Sequence, residues 1–455
     1  MPSLTNPFSR ATITTGSVNV MNTNESEKYK NQKTTEQPDL KRVAIHNLHR
    51  LRTSVKWILI GILTGLVVGA VGIAFSYAMA WATTMRSTYP WLLYLLPFAG
   101  VLIVSWYYLF QGRHDKGTNL VIAAIHSGEE VPLRMAPRIF VATVLTHLCG
   151  GSAGREGAAL QIGASIGNHI GNVFHFNEND KRVMIMCGMS ACFSALFGTP
   201  MAAAIFSMEV ISVGVMYYAA LVPCVIASFV AHSLAAMCGV GWESFPVTEL
   251  PAFAVKNACT IGILAVLCAL LSVVFCFLLH HTAHFFRKHV PNHYARTIVG
   301  GCIIIVLTLL VGSRDYNGAG MDVIARCFET GNVFPGAFLL KMIFTAITLG
   351  TCYKGGEIVP TFYVGATFGC LFSMISGFSA PLCIAVGMGS LFCGVTNSPI
   401  ASLLICFELF GYEGMPYYLL AIALSYMFSG YYGLYSSQKI LYSKFKTTYI
   451  DRKAQ

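Results

Sequence analysis

Charged residues are scarce in this sequence. Lys, Arg, Asp and Glu make up 11% of its 455 residues, against about 25% in a soluble globular protein. Apolar residues make up 55%, and the mean hydropathy is +0.62. So few charges cannot cover a water-facing surface, so most of the exterior must face hydrocarbon. The composition excludes a soluble protein and predicts an all-α, multi-pass membrane protein.

Sequence motifs of common enzymes and metal sites are also lacking. The chain contains no GxGxxG, no phosphate-binding P-loop, no HExxH and no GxSxG, which are the patterns expected of nucleotide, metalloprotease and hydrolase sites. Its fifteen cysteines are scattered, many of them within apolar runs, and no CxxC occurs. They are interpreted as reduced thiols that pack as small hydrophobic groups. We therefore expect no cofactor, no metal and no enzymatic activity.

Positive charge is concentrated at the two ends of the chain. The formal net charge is +10, of which residues 1–56 contribute +5 and residues 436–455 contribute +4. Short basic flanks on an apolar body follow the positive-inside rule and place both termini in the cytoplasm, at a cell membrane. They do not indicate nucleic-acid binding. Residues 1–50 have no signal-peptide h-region and are predicted to be a disordered, basic cytoplasmic leader.

Two long apolar spans open the membrane body, and shorter interrupted ones follow. Trp57–Ala82 and Trp91–Phe110 are long enough to cross the bilayer, and the loop Gln111–Lys116, with Arg113 and Lys116, fits the cytoplasmic side. Pieces cut by Gly, Pro or polar residues suggest either tilted or re-entrant helices, or broken helices that meet near the midplane. These pieces are Ile139–Cys149, Leu160–Val173, Val183–Leu196, Ala202–Ile211, Pro335–Leu349, Pro360–Met374 and Ile400–Phe410. Conventional spans are predicted at Tyr217–Met237, Ala254–Leu279, Thr297–Val311 and Tyr417–Gly433.

The membrane body contains an internal repeat. Three short landmarks recur after about 200 residues: Gly154-Arg155-Glu156 as Gly355-Gly356-Glu357, Gly163–Gly167 as Gly365–Gly369, and Thr199-Pro200 with Glu209 as Ser398-Pro399 with Glu408. The common spacing predicts two homologous membrane repeats, 51–245 and 246–435, followed by a C-terminal cytoplasmic segment, 436–455. Such halves often face opposite directions around a central site.

Five ionisable residues lie in apolar segments, where each costs at least about 2.5–3.5 kcal/mol: Arg155, Glu156, Glu209, Glu357 and Glu408. We expect Glu209 and Glu408 to bond backbone donors or to reach the membrane interface. Arg155 is expected to hold nearby backbone and not to pair with Glu156, because adjacent residues on a helix do not face each other. Glu156 lies in a glycine-rich stretch before an apolar helix, where unpaired N–H groups attract an anion or a carboxylate. It is predicted either to gate an anion site by protonation or simply to cap this helix.

Two further helix starts are rich in glycine and small polar residues. Lys116-Gly117-Thr118-Asn119-Leu120 opens one apolar run, and Lys354-Gly355-Gly356-Glu357-Ile358-Val359-Pro360 opens another. Pro360 suits the first turn of a helix. Three such starts provide the backbone amides and hydroxyls that an anion site needs.

At these residues the chain resembles the CLC family of chloride channels and anion/proton antiporters, over about residues 57–445. Gly154-Arg155-Glu156-Gly157 is similar to the family's GREGP signature, with Ala158 in place of proline. The resemblance implies paired inverted repeats, a homodimer with one pore per subunit and Glu156 as the proton-coupled gating glutamate. Since only about twenty residues follow the predicted membrane body in this sequence, we expect no nucleotide-binding (CBS) pair. The implied anion-binding residues are Gly117, Thr118, Asn119, Gly154, Arg155, Gly157, Gly356, Glu357, Ile358 and Tyr442.

The departures from the family pattern indicate one branch of it. Thr118 replaces the anion-coordinating serine, Glu357 adds a carboxylate, Ile358 replaces phenylalanine, and Val210 replaces the inner proton-transfer glutamate. Together they resemble the fluoride-exporting branch, and a protonated Glu357 would donate a hydrogen bond to fluoride. The expected partners are a halide, fluoride or chloride, protons and the lipid bilayer. A chloride/proton antiporter, a passive chloride channel and a membrane enzyme using Glu156 and Glu357 as a dyad are the alternatives.

Overall fold

The computed structural model describes residues 40–110, 116–247 and 250–455. Lys56–Gln455 forms one packed unit, and the contacts given below lie within it. The helices are α1 Leu40–Thr88, α2 Leu96–Leu109, α3 Thr118–Ser127, α4 Met135–Leu148, α5 Glu156–Val173, α6 Glu178–Phe197, α7 Pro200–Glu209, α8 Leu221–Met237, α9 Val255–His289, α10 His293–Val311, α11 Met321–Thr330, α12 Ala337–Gly350, α13 Ile358–Ser376, α14 Ala380–Thr396, α15 Pro399–Phe410 and α16 Met415–Phe428. Two short 3₁₀ helices, Pro90–Leu95 and Tyr218–Ala220, precede α2 and α8.

Local sequence signals mark many helix ends. Asn177 and Asn292 cap α6 and α10 by accepting hydrogen bonds from backbone N–H groups one turn ahead. Pro200 and Pro399 occupy the first turns of α7 and α15, where a missing N–H costs nothing. Gly198 ends α6 in the left-handed conformation that glycine adopts without strain. These signals produce the interruptions that the sequence predicts.

In the described part of the chain, six helical segments are long and apolar enough to cross a membrane: Arg50–Thr88, Pro90–Leu109, Tyr218–Met237, Val255–His289, His293–Val311 and Ile358–Ser376. Shorter apolar helices lie between them, so the predicted mixture of full spans and broken helices is confirmed. The piece predicted as Pro360–Met374 is longer than expected, because α13 begins two residues earlier and runs to Ser376.

Equivalent helices of the two repeats pack in the same way. In the first repeat, a Cβ added to Gly163 would lie 2.2 Å from the Gly188 carbonyl oxygen, so α5 and α6 touch backbone to backbone. In the second, a Cβ added to Gly365 would lie 2.5 Å from the Gly387 carbonyl oxygen, where α13 meets α14. Small residues permit such close crossings in membranes. The repeat seen in the sequence is therefore also a repeat in packing.

Two features differ from the expectations at the chain ends. The helix α1 begins at Leu40, so the end of the predicted leader is helical, because residues 40–50 contain good helix formers and no Gly or Pro. The rest of the leader and most of the Gln111–Lys116 loop, with Arg113, lie outside the described residues. Near the C-terminus, β1 (Ser212–Val213) pairs parallel with β2 (Lys439–Tyr442), and β2 pairs antiparallel with β3 (Tyr449–Lys453). This small sheet is an addition to the predicted all-α architecture.

Candidate functional site

The glycine-rich loops of the two repeats meet and bond to each other. Gly154 N donates to Gly356 O, and Gly356 N donates to Gly154 O, both at 2.7 Å, as an isolated antiparallel bridge. This exchange of two hydrogen bonds has local two-fold symmetry. A Cβ on Gly157 would lie 2.8 Å from Gly356 Cα, and one on Gly356 would lie 2.4 Å from Gly157 N. Only glycine allows this approach, which brings the starts of α5 and α13 together.

Glu156 is the first residue of α5 and is fully buried. Its Oε2 accepts a hydrogen bond from Arg155 N (3.1 Å), and its Oε1 lies 3.5 Å from Arg155 Nε. Among the described residues, Oε1 has no hydrogen-bond partner. One carboxylate oxygen thus accepts a backbone hydrogen bond at the start of α5, and the other faces the Arg155 guanidinium at ion-pair distance.

The expectation that Arg155 and Glu156 do not face each other is wrong. Arg155 is the N-cap residue of α5, with φ −108° and ψ −20°, and it precedes the regular helix. Its side chain can therefore turn back toward its neighbour, which the helical spacing rule does not cover. Arg155 also lines a cavity of about 20 Å³ with Trp242 and Glu243, about the space that one water needs. Burial raises the pKa of the Glu243 carboxyl above its usual range, and the nearby positive charge of Arg155 offsets only part of this rise.

Glu357 occupies the equivalent position at the start of α13. It is the N-cap residue, and its Oε2 would lie 3.5 Å from a Cβ built on Gly157, so its carboxyl group lies beside the start of α5. Ile358, the first residue of α13, is fully buried. Both signature carboxyls therefore reach the junction of the two repeats.

The tyrosine at this junction is Tyr435, and Tyr442 lies elsewhere. Tyr435 is buried, interacts electrostatically with both Glu156 and Glu357, and its hydroxyl has no hydrogen-bond partner among the described residues. Tyr442 is 47% exposed at the end of β2, and its ring packs edge-on against Tyr449. The implied role of Tyr442 is therefore wrong, because the chain has already left the helices to join β1 at this point.

Hydrogen bonds connect the start of α3 to α5 and to the segment that follows Tyr435. Gly117, with φ +59°, turns the chain into the helix, and Thr118 Oγ1 accepts a hydrogen bond from Gln161 Nε2 of α5 (3.1 Å). Asn119 Oδ1 accepts one from Ser437 N (2.9 Å), two residues after Tyr435. Thr118 is buried, so its hydroxyl lies inside the protein. Sequence reasoning missed Gln161, whose only signal is a polar side chain in an apolar run.

Glu209 and Glu408 form a reciprocal pair of helix caps between the repeats. The Glu209 carboxylate at the end of α7 accepts hydrogen bonds from Ile400 N (3.1 Å) and Ala401 N (2.8 Å) at the start of α15. The Glu408 carboxylate at the end of α15 accepts them from Met201 N (2.8 Å) and Ala202 N (2.9 Å) at the start of α7. Each negative charge meets the positive end of a helix dipole. The expected structural role of both residues is confirmed.

Three comparisons place the chain among known proteins. The family model described as voltage gated chloride channel matches residues 99–430. A chloride/fluoride channel protein from Pseudomonas syringae pv. tomato is 34% identical over 396 residues, covering 86% of this chain and 87% of that protein. An H(+)/Cl(-) exchange transporter from Cronobacter sakazakii is 25% identical over 395 residues, covering 80% and 84%. The crystal structure of a CLC-type fluoride/proton antiporter superposes with a TM-score of 0.81 at 29% identity, covering 84% of this chain and 98% of that one.

Proposed function

Because the chain belongs to the voltage gated chloride channel family, a family of anion/proton antiporters and channels, we propose that it is a proton-coupled antiporter that exports fluoride across the cell membrane. One observation carries the proposal: the carboxyls of Glu156 and Glu357 come together where the glycine loops of the two repeats meet, and both interact electrostatically with the buried Tyr435, whose hydroxyl has no hydrogen-bond partner among the described residues. Two relatives support fluoride, since one is named a chloride/fluoride channel protein and the other a fluoride/proton antiporter.

The chemistry of this junction fits a small, strongly hydrated anion. Fluoride gives up its water only for short, strong hydrogen bonds, and bonds to an ionised partner are the strong ones. A protonated Glu357 donates such a bond, and the hydroxyls of Tyr435 and Thr118 can donate others. An ionised Glu357 would instead repel the anion.

Glu156 couples the anion to the proton in this proposal. When ionised, its carboxylate occupies the electropositive start of α5, where an anion would otherwise bind. When protonated, it loses its charge and its attraction to Arg155, and the anion takes its place. One side chain that alternates with the anion links proton entry to anion exit.

Chloride is the second candidate substrate. The relative from Cronobacter sakazakii is named an H(+)/Cl(-) exchange transporter, and Thr118 keeps a hydroxyl where the family's serine coordinates chloride. Further parts of the proposal rest on the family resemblance and the charge pattern: repeats at 51–245 and 246–435, a homodimer, and both termini in the cytoplasm.

The proposal is tested by measuring anion efflux from proteoliposomes that contain the purified protein. We expect fluoride efflux to exceed chloride efflux, and an imposed proton gradient to drive fluoride against its own gradient. Equal rates for the two halides would exclude fluoride selectivity. Anion flux that no proton gradient can drive would identify a passive channel.

Replacement of the gating residue provides the internal control for coupling. Glu156→Gln mimics the protonated side chain, so we expect it to abolish proton movement while anion flux persists. Glu413→Gln removes an exposed carboxylate on the α15–α16 connection, and both fluxes should be unchanged. Proton movement in Glu156→Gln equal to that of the wild type would remove Glu156 from the mechanism.

A further inference from the structure

A basic cavity of about 630 Å³ lies between the ends of α2, α9 and α10. Two of its lysines, Lys116 and Lys354, directly precede the glycines at the starts of α3 and α13, and the rest of its lining comes from outside these glycine-rich starts. Four side chains with permanent positive charge line it: Lys116, Arg287, Arg296 and Lys354. Among the described residues that line the cavity, none is Asp or Glu. We infer that this cavity binds the phosphate group of an anionic phospholipid.

The cavity contains a preorganised cation. Arg296 is only 6% exposed, and its guanidinium donates to Val290 O (2.9 Å) and Pro291 O (3.0 Å). These bonds fix the orientation of the group, and within the described part of the chain no carboxylate forms an ion pair with it. A planar, fixed guanidinium is well suited to bind a phosphate.

The neighbouring cations are only partly neutralised. Lys116 pairs with Glu129 at 2.9 Å, whereas Lys354 Nζ lies 4.5 Å from the centroid of the Tyr107 ring. Arg287 is exposed in the last turn of α9. Four cations around one cavity repel each other, and a bound anion relieves that repulsion.

The surroundings favour a lipid over a soluble phosphate. The cavity lies where α2 and α9 end and α10 begins, at the level where apolar helices leave the hydrocarbon. Apolar side chains line part of its wall (Ile103, Val104 and Leu349). Outside the cavity, α2 and α10 expose Leu102, Leu109, Ile298 and Val299. A phosphate bound in the cavity would therefore have its acyl chains next to these faces. Basic pockets between membrane helices are known to bind anionic head groups.

The experiment measures lipid retention by the detergent-purified full chain, using native mass spectrometry. Phosphatidylglycerol is the probe, and phosphatidylcholine is the zwitterionic reference. We expect the wild type to retain phosphatidylglycerol and Arg287→Gln to bind it about five-fold more weakly, the ratio expected for one basic residue near a lipid surface. Lys288→Gln, a neighbouring exposed cation that does not line the cavity, should bind as the wild type does.

A second variant addresses the buried cation. Arg296→Lys keeps the charge but loses the planar fork and part of its bonding to Val290 O and Pro291 O, so we expect weaker retention of phosphatidylglycerol when it is measured well below the unfolding temperature of the variant. Equal losses in Arg287→Gln and Lys288→Gln would overturn the proposal, because they would indicate only general surface attraction. Displacement of the lipid by millimolar glycerol 3-phosphate or halide would also overturn it, since the cavity would then be a site for soluble anions.

Discussion

Tyr435 and Tyr442 lie in the same tripeptide, Leu-Tyr-Ser, which occurs at 434–436 and again at 441–443. One side chain is buried beside two carboxyls, and the other is half exposed on a strand. The difference arises from tertiary structure. Asn119 holds the first copy against α3 through Ser437, whereas pairing with β1 draws the second copy into the sheet.

This pair of tyrosines gives a matched test at the scale of single residues. Tyr435→Phe removes the hydroxyl without removing the ring, so we expect the apparent affinity for the transported anion to fall about ten-fold, the loss of one hydrogen bond to a charged group. Tyr442→Phe should have no effect. Concentration-dependent anion uptake in proteoliposomes measures both. A larger effect of Tyr442→Phe would restore the role that the sequence resemblance gave to it.

The sequence predicts the charged part of the site better than its neutral part. Glycine-rich helix starts and carboxylates in apolar segments are visible because both are costly in a membrane. The reciprocal caps of Glu209 and Glu408 follow from the same reasoning and the repeat. Gln161 and Tyr435 carry no such local cost, so only the folded chain shows where their side chains lie. The orientation of Arg155 differs from the sequence-based expectation because its backbone lies just outside the regular helix.

Among the helices, the crossings of α5 with α6 and of α13 with α14 depend on the absence of side chains. We expect Gly163→Ala and Gly365→Ala to destabilise the protein to a similar extent, by about 1–3 kcal/mol each, since each new methyl would overlap a backbone carbonyl. Gly262→Ala in α9 is the control, because its Cβ would meet only Leu424 Cδ1 at 3.4 Å. Thermal unfolding in detergent compares the three. A stable Gly163→Ala protein would show that α5 and α6 can move apart.

The segment after β2 contributes a partly buried lysine with a measurable effect on stability. Lys444 Nζ donates to Asn397 Oδ1 (2.5 Å) and Ser429 Oγ (3.1 Å), and burial lowers the pKa of this ammonium group from 10.5 to about 8. The unfolded chain then binds more protons than the folded chain between about pH 8 and 10.5, so this group makes stability rise with pH through that window. Below pH 8 both states hold the proton, and the contribution is constant.

Lys444→Met should therefore lose the increase in stability that the lysine produces between about pH 8 and 10.5. The unfolding temperature of the wild type, relative to that of Lys444→Met, should increase from pH 8 to pH 10. Lys446→Met, which replaces an exposed lysine two residues away, should keep the wild-type profile. Parallel profiles for the wild type and Lys444→Met would show that the buried ammonium group keeps its ordinary pKa.

At the scale of the whole molecule, two of the contacts between the repeats share a reciprocal construction. The Gly154–Gly356 bridge links the loops at the candidate site, and the carboxylates of Glu209 and Glu408 link α7 to α15. At each of these two contacts, an oxygen of the first repeat accepts a hydrogen bond from a backbone N–H group of the second, and an oxygen of the second repeat accepts one from a backbone N–H group of the first. Since the contacts are reciprocal, neither half can satisfy these groups alone.

From the reciprocal caps we predict equal losses of stability in the two single variants and a less than additive loss in the double variant. Glu209→Gln and Glu408→Gln each keep one acceptor oxygen but lose the charge that faces a helix N-terminus, so each should lower the free energy of unfolding by about 1.5–3 kcal/mol. Because both residues hold the same pair of helices, the double variant should lose less than the sum of the two. Thermal unfolding in detergent measures all three, with Glu413→Gln as the exposed control. Strictly additive losses would mean that each carboxylate stabilises only the helix start it caps, and that the two repeats are held together elsewhere.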